Sequence, residues 1–276
     1  MSTETKKGLI RVGKYQPDTK TNPSFEGFVV FLIHTKGELS PFQMKVPLVE
    51  DGKKEMAIFE NYYQFSKIWM YVPTQNQIYN RYAGIKGWTH PHEIHLKGDK
   101  ITDQYWKWRS KGMSFNVPVR YPAGFENRSG TKFSLVEIPK PTETKVVEAN
   151  IAQFKSKFYK KLSYIEARKQ IYLSKYAEIA SETETIKKMK ELRDNGVNIL
   201  INEVDGPSYS EGYPYNTVEK CSLHMNAGIL KFLVNDSTHP FGHGYCIAAI
   251  LLDCVEQLVK SKYNKDLVIE SADKYT

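Results

Sequence analysis

Apolar residues along this chain fall into short runs broken by turn residues, and only a few stretches keep a regular period. Phe28-Val29-Val30-Phe31-Leu32-Ile33 is a β-branched and aromatic run that predicts a buried strand, ending where His34-Thr35-Lys36-Gly37 turns the chain. Gln43 to Val49 predicts a strand pairing with it, closed by the turn dipeptide Asp51-Gly52. A first helix is expected from about Ala57 to about Tyr71, stopped by Pro73. Residues 1–25 are polar and predict a flexible N-terminal arm, while residues 74–100, with Gly84, Gly87, Pro91 and Gly98, read as an insertion or long loop.

Further on, Thr102 caps a short predicted helix through Tyr105, Trp106 and Trp108, with a loop expected over Arg109 to Met113. Phe133 to Ile138 alternates as a strand does. From Glu148 to Arg193 the residues Ile151, Phe154, Phe158, Leu162, Ile165, Tyr172 and Ile179 follow a broken helical repeat. Ser163–Glu166 and Ser181–Glu184 match capping boxes, so two or three successive helices are expected there. Val197 to Val204 predicts a strand leading into Asp205-Gly206-Pro207. Asn216 opens a predicted helix through Leu223, Ile229 and Leu233, and a last helix is expected from Gly244 to about Lys260. The sum is an α+β fold, mostly helical, with one domain over 26–262 around a small sheet and a tail over 263–276.

A length of 276 residues is near the upper edge for one domain. A formal net charge of +8 favours a polyanionic ligand or partner, and 13% aromatic residues, 18 of them tyrosines, favour flat ligands. Cys221, Cys246 and Cys254 form no Cys-x-x-Cys pair, so neither a disulfide framework nor a zinc ribbon is indicated and reduced thiols are expected. The first residues have no apolar h-region, and the most apolar run, Cys246 to Leu252, ends at Asp253, so a cytoplasmic protein with no membrane contact is expected. No cofactor signature is present.

Two stretches read as opposite walls of one nucleotide-sized pocket: Leu39-Ser40-Pro41-Phe42 with the run Phe59 to Lys67, and Pro240-Phe241-Gly242-His243-Gly244-Tyr245. At helical pitch Glu60, Gln64 and Lys67 fall at i, i+4 and i+7, placing a carboxylate, an amide and an amine on one face, with Phe59, Tyr63, Phe65 and Trp69 as apolar walls. A carboxyl group among aromatics loses solvation and can act as a general acid near neutral pH; the same spacing also fits a solvated helix face. Gly242 and Gly244 allow backbone to approach a ligand at a helix N-terminus, which suits phosphate, or they simply form a turn and cap. Asp205 ends a predicted buried strand, as a functional carboxylate or an Asx turn. Trp106, Trp108 and Arg109 can stack on a base and bind phosphate, or belong to the core. His90, His92 and His95 have a metal-like spacing without a fourth ligand, and no metal is predicted.

With these residues placed, the order Leu39-Ser40-Pro41-Phe42, Asp51-Gly52, Glu60-Asn61-Tyr62-Tyr63-Gln64 and Lys67 resembles the opening of the NADAR (YbiA-like) family, as a divergent member. In that family a Leu-Ser-Asn-Phe element precedes a Glu-His-Tyr-x-Gln helix with a downstream lysine. Arg109-Ser110-Lys111-Gly112 and the Ala167–Leu192 region before Asp205-Gly206 are similar in kind, over residues 28–255. Pro41 and Asn61 stand where the family usually has asparagine and histidine, and Gly-His-Gly stands where a Trp-Gly pattern is common.

The resemblance implies an N-glycosidase, a hydrolase that cleaves the base–ribose bond of an ADP-ribose-linked guanine or of a ribosylamino-pyrimidine phosphate. It implies Glu60 as acid or base, Asp205 as charge stabiliser, and Lys67 as an orienting or Schiff-base amine. Ser40, Phe42, Tyr63, Gln64, Trp108, Arg109, Gly242, His243 and Gly244 would bind the phosphorylated nucleotide or ADP-ribosylated substrate. The competing reading is a basic module that binds nucleic acid or ADP-ribose without turnover, contacting backbone through the Lys155–Arg193 region.

Overall fold

The structure, a computed structural model, describes residues 6–14, 26–33, 37–50, 53–69, 94–119, 131–141, 151–203, 222–237 and 240–262. Its elements, in chain order, begin with strands β1 (Ile10–Lys14), β2 (Phe28–Leu32), β3 (Lys45–Glu50) and β4 (Lys53–Ile58). Helix α1 (Phe59–Gln64), strands β5 (Lys67–Trp69), β6 (Leu96–Lys97) and β7 (Lys100–Ile101), and helix α2 (Asp103–Met113) follow. Then come β8 (Thr131–Ile138), β9 (Ile151–Phe154), β10 (Lys157–Leu162), α3 (Tyr164–Ala167) and a π-helical segment Arg168–Leu173. The chain continues with α4 (Ser174–Ala180), α5 (Glu184–Asp194), β11 (Asn198–Glu203), β12 (Ser222–His224), α6 (Ala227–Asn235), α7 (His243–Leu251) and α8 (Val255–Lys260). Both helices and strands are well represented, an α+β composition, and the strands form more than one small sheet.

Two compact units divide the chain, one from residues 1–40 and 173–276, the other from 41–172. In the first, the sheet runs in the order β12-β1-β11-β2, with β1, β11 and β2 parallel and β12 antiparallel at the edge. β11 is central because Ile199, Leu200 and Ile201 are all fully buried, the continuous apolar run of a parallel strand covered on both faces. α7 packs on β1 and β11, and α4, α5, α6 and α8 pack around it. Every residue of α7 is buried, which explains its unbroken apolar sequence.

In the second unit, an antiparallel sheet runs β5-β8-β10-β9, beside the hairpins β3–β4 and β6–β7. α2 lies on this sheet through its rings: Trp106 stacks on Phe154 with centroids 4.4 Å apart and meets Tyr159 at 5.0 Å. α3 packs against β8 and β10, capped by the Ser163–Glu166 capping box expected from the sequence.

Several expected elements differ. Ile10–Lys14 is an inner strand of the first unit's sheet, where a loose arm was expected; Ile10 and Val12 alternate with Arg11 and are almost fully buried. The expected pairing of the 43–49 strand with Phe28–Ile33 is replaced by β3 with β4. The region from Ile151 to Leu162 is a hairpin rather than helix, turned at Lys155 with φ 54°. A left-handed residue cannot sit inside a right-handed helix, and the Phe158-Tyr159 pair serves both faces of a strand. α2 continues through the Arg109–Met113 stretch expected as a loop, because Gly112 lets Phe65 close against it. α5 is capped by Thr183, not Ser181. Asn226, not Asn216, caps α6, while Asn216 lies outside the described residues. The last helix is broken into α7 and α8 at Asp253, φ 53°. Asp51-Gly52 and most of the 74–100 stretch lie outside the described residues.

Candidate functional site

α1 is a single six-residue helix and ends before Lys67, which the sequence placed one turn further along the same helix face. Lys67 instead opens β5, pointing inward because all three residues of that edge strand are buried. The amine nevertheless returns to α1. Lys67 Nζ donates to Gln64 Oε1 at 2.8 Å, and Gln64 Nε2 donates to Glu60 Oε1 at 2.8 Å. Carboxylate, amide and amine thus form one hydrogen-bonded chain, with Glu60 6%, Gln64 2% and Lys67 1% exposed.

Aromatic rings enclose this chain. Lys67 Nζ lies 4.5 Å from the Tyr63 ring centroid and 5.8 Å from that of Trp69, so its charge rests on two π faces. Tyr172, from the π-helical segment, meets Tyr63 at 4.9 Å and Phe59 at 5.5 Å. Such segments often sit beside functional residues, because the extra residue per turn redirects the side chains that follow. The strand-to-helix entry is fixed by Phe59 N–H bonding Met44 O and Glu60 N–H bonding Pro41 O. Among the described residues of this cluster, a carboxyl and an amine are held in mutual reach through one amide.

Asn61, where the resembling family has histidine, has a structural task. Its Nδ2 donates to the carbonyls of Phe115 and Val117, and its Oδ1 accepts from Val119 N–H at 2.7 Å. Fully buried, it fastens residues 115–119 to α1 and leaves no ring to take part in chemistry.

Trp108 is 2% exposed and packs on Phe65 at 4.6 Å and His95 at 4.7 Å, a core position rather than a platform for a base. His95 accepts from Trp69 N–H through Nδ1 and belongs to the same core; His90 and His92 lie outside the described residues. Among the described residues no three His, Cys, Asp or Glu side chains gather as metal ligands would. Arg109 is 5% exposed, with its guanidinium 5.2 Å from the Tyr159 ring centroid and its Nε without a hydrogen-bonding partner among the described residues. The neighbouring Tyr105 hydroxyl is pushed up by burial, countered in part by Arg109.

In the first unit, the Gly242–Gly244 turn is built as the start of α7, with Gly242 as N-cap. The anion at that helix N-terminus belongs to the protein: Glu203 Oε2 accepts from Gly244 N–H and lies 3.1 Å from His243 Nδ1. His243 Nε2 faces Ile33 O at 2.8 Å. A phosphate bound there would displace or oppose a buried carboxylate, so the expected phosphate cradle is corrected to an internal Glu203–His243 cap. Glu203, 2% exposed, is the residue that sequence reasoning missed; the strand was expected to present Asp205, which lies outside the described residues.

Tyr176 completes this cluster, donating to Leu39 O at 2.6 Å with its ring 6.1 Å from that of His243. Burial first, then the charges of Cys246 and Glu203, raise its hydroxyl well above the usual tyrosine value. Ser40, next to Leu39 in the chain, is fully buried, and Phe42, at the start of the second unit, is half-buried.

The chain matches no protein family, no characterised protein and no solved structure. Among the described residues no helix is long and apolar enough to cross a membrane.

Proposed function

We propose that the chain is an N-glycosidase acting on the base–ribose bond of an ADP-ribose-linked guanine or a ribosylamino-pyrimidine phosphate. The observation that carries this reading is the buried Glu60–Gln64–Lys67 chain within an aromatic enclosure. Hydrolysis of an N-glycosidic bond breaks the C1′–N bond, adds water to C1′ and returns a proton to the leaving nitrogen, through an oxocarbenium-like transition state. Glu60 is suited to give and take that proton and to face the developing positive charge. Gln64 holds its carboxyl in one orientation. Lys67 orients the substrate, with Gln64 fixing its position, or as the neutral amine adds to C1′ of the ring-opened ribosylamine, expels the base as its protonated amine to leave a Schiff base, and is released when water hydrolyses that imine.

Tyr63 offers the nearest ring for a base, a task that buried Trp108 leaves open. Arg109, whose Nε meets no hydrogen-bonding partner among the described residues, is suited to a phosphate oxygen. The net charge of +8 suits the same substrates. Assignment to the NADAR family rests on the motif order.

The test is to incubate the purified protein and a Glu60→Gln variant with guanine-linked ADP-ribosylated DNA and with a ribosylamino-pyrimidine phosphate, following released base or ADP-ribose by mass spectrometry. Release that vanishes in a folded Glu60→Gln protein supports the assignment. Equal release by the variant, or none from either substrate with a folded wild type, overturns it and leaves the binding module.

A further inference from the structure

Asn202 is the fourth consecutive fully buried residue of β11, and among the described residues neither its Oδ1 nor its Nδ2 meets a hydrogen-bonding partner. A buried amide with both groups unsatisfied forfeits its hydration without compensation, so it persists in a folded chain where something offsets that cost. Its position points to a ligand. In register it stands between Gly13 of β1 and Leu32 of β2, and Gly13 in turn faces Ser222 of β12. Side chains alternate along a strand, so Glu203 turns towards α7 while Asn202, Leu200 and Arg11 share the other face. On that face Arg11 Nε donates to Ser222 Oγ at 2.8 Å and its Nη2 to Ser222 O at 3.3 Å. Guanidinium, hydroxyl and amide therefore surround Gly13, which has no side chain, towards the carboxyl ends of three parallel strands. Open parallel sheets bind their ligands at that edge.

We infer that Asn202 is part of a nucleobase-binding subsite. A primary amide presents a donor and an acceptor side by side, and the edges of nucleobases present the complementary pair, which is why asparagine binds them with two hydrogen bonds. An isolated anion would engage only Nδ2 and leave Oδ1 unsatisfied; an apolar group would satisfy neither. The subsite rests on unit 1 residues alone and is independent of turnover at Glu60.

The experiment is thermal denaturation of the full chain with adenosine, guanosine, cytidine or uridine, with ribose as the base-free control. It is run on wild type, Asn202→Leu and Asn202→Asp. At least one nucleoside is expected to raise the wild-type Tm while ribose does not, and its Kd is expected to weaken at least about tenfold in Asn202→Leu. The leucine, close in shape and free of unsatisfied groups, is expected to raise the ligand-free Tm. Should that variant not fold, Asn202→Asp, which replaces the donor by an acceptor, is expected to lose the nucleoside effect to a similar degree. The inference is overturned if no nucleoside shifts the wild type, if ribose acts equally, or if the shift survives in the folded variant. A rise in Tm for Asn202→Leu with no nucleoside effect in wild type marks a purely internal defect and also overturns it.

Discussion

Gly244 donates its N–H to Glu203 Oε2 and presses its Cα against the same side chain: a methyl group at 244 would lie 3.0 Å from Glu203 Cβ and 3.1 Å from Oε2. Val12 Cγ1, at 3.3 Å, closes the third side. Ala in a helix gains about 1 kcal/mol over Gly, but overpacking costs about 1–3 kcal/mol and here also strains a buried charge contact. Gly244→Ala is therefore expected to be destabilised by roughly 1–2 kcal/mol in urea denaturation. Glu203→Ala should lose more, about 3–5 kcal/mol, because it removes the acceptor of the α7 N–H group and the carboxyl group beside His243 Nδ1. A Gly244→Ala protein as stable as wild type would show that this approach has slack.

Gly112 of α2 has a tighter relation to Phe65, whose Cδ1 and Cε1 would each lie 2.0 Å from an added methyl group. Phe65 is itself fully buried between Trp108 and Phe115, so the ring cannot swing aside. Gly112→Ala is expected to cost about 3 kcal/mol or more, and the double variant Gly112→Ala, Phe65→Leu to recover part of it. Chemical denaturation of the four proteins measures that coupling directly; additive losses would mean the two positions do not meet.

Elements whose own residues decide their shape were readable from the sequence. Phe28–Leu32 and Asn198–Glu203 are strands because β-branched runs bounded by turns have little alternative, and the Ser163–Glu166 capping box marks its helix locally. What escaped was decided by neighbours distant in sequence. Ile10–Lys14 looks too short and polar to be an inner strand until Ile199 and Ile201 lie beside it. Phe154 and Phe158, four apart, fit a helix as well as a hairpin, and only Lys155 in a left-handed turn separates the two. At the candidate site the residue types were legible and the geometry was not: Lys67 reaches Gln64 from a strand, and Glu203 was hidden because its partner Gly244 lies 41 residues away.

Glu38 accepts from Thr185 N–H at 2.7 Å, adding a second acceptor to the N-terminus of α5 beside the Thr183 cap. Hydrogen bonds from Thr185 hold its carboxyl below the ordinary glutamate value. A depressed carboxylate contributes stability that is complete above its unfolded value, about 4.3, and is lost as pH falls through the lower folded value. Glu38→Gln is expected to flatten the pH dependence of unfolding below about pH 5 and to change it little at pH 7. An unchanged acid limb in the variant would assign that limb to other carboxyls.

Gln64 links carboxylate and amine through one hydrogen bond to each, so Gln64→Leu tests the chain without removing either group. Leaving Glu60 and Lys67 each short of one buried hydrogen bond is expected to cost about 2–4 kcal/mol in stability. Gln64→Glu keeps the acceptor for Lys67 but faces Glu60 with a second carboxyl, and a rise in the acid limb of the activity profile is the expected signature. If both variants retain wild-type stability and turnover, the amide is a bystander.

Cys254, at the break between α7 and α8, is 5% exposed, and burial pushes its thiol up to about 11. The neutral thiol is thus favoured in the folded chain. That contribution is complete below the ordinary thiol value and is lost as pH rises through about 11. Alkylation requires the thiolate, so mass-mapped labelling with iodoacetamide at pH 8 is expected to leave Cys254 unmodified in the native protein and to modify it readily in denaturant. Labelling in the native state at pH 8, at the rate of a free thiol, would mean that the α7–α8 junction opens faster than the reagent reacts.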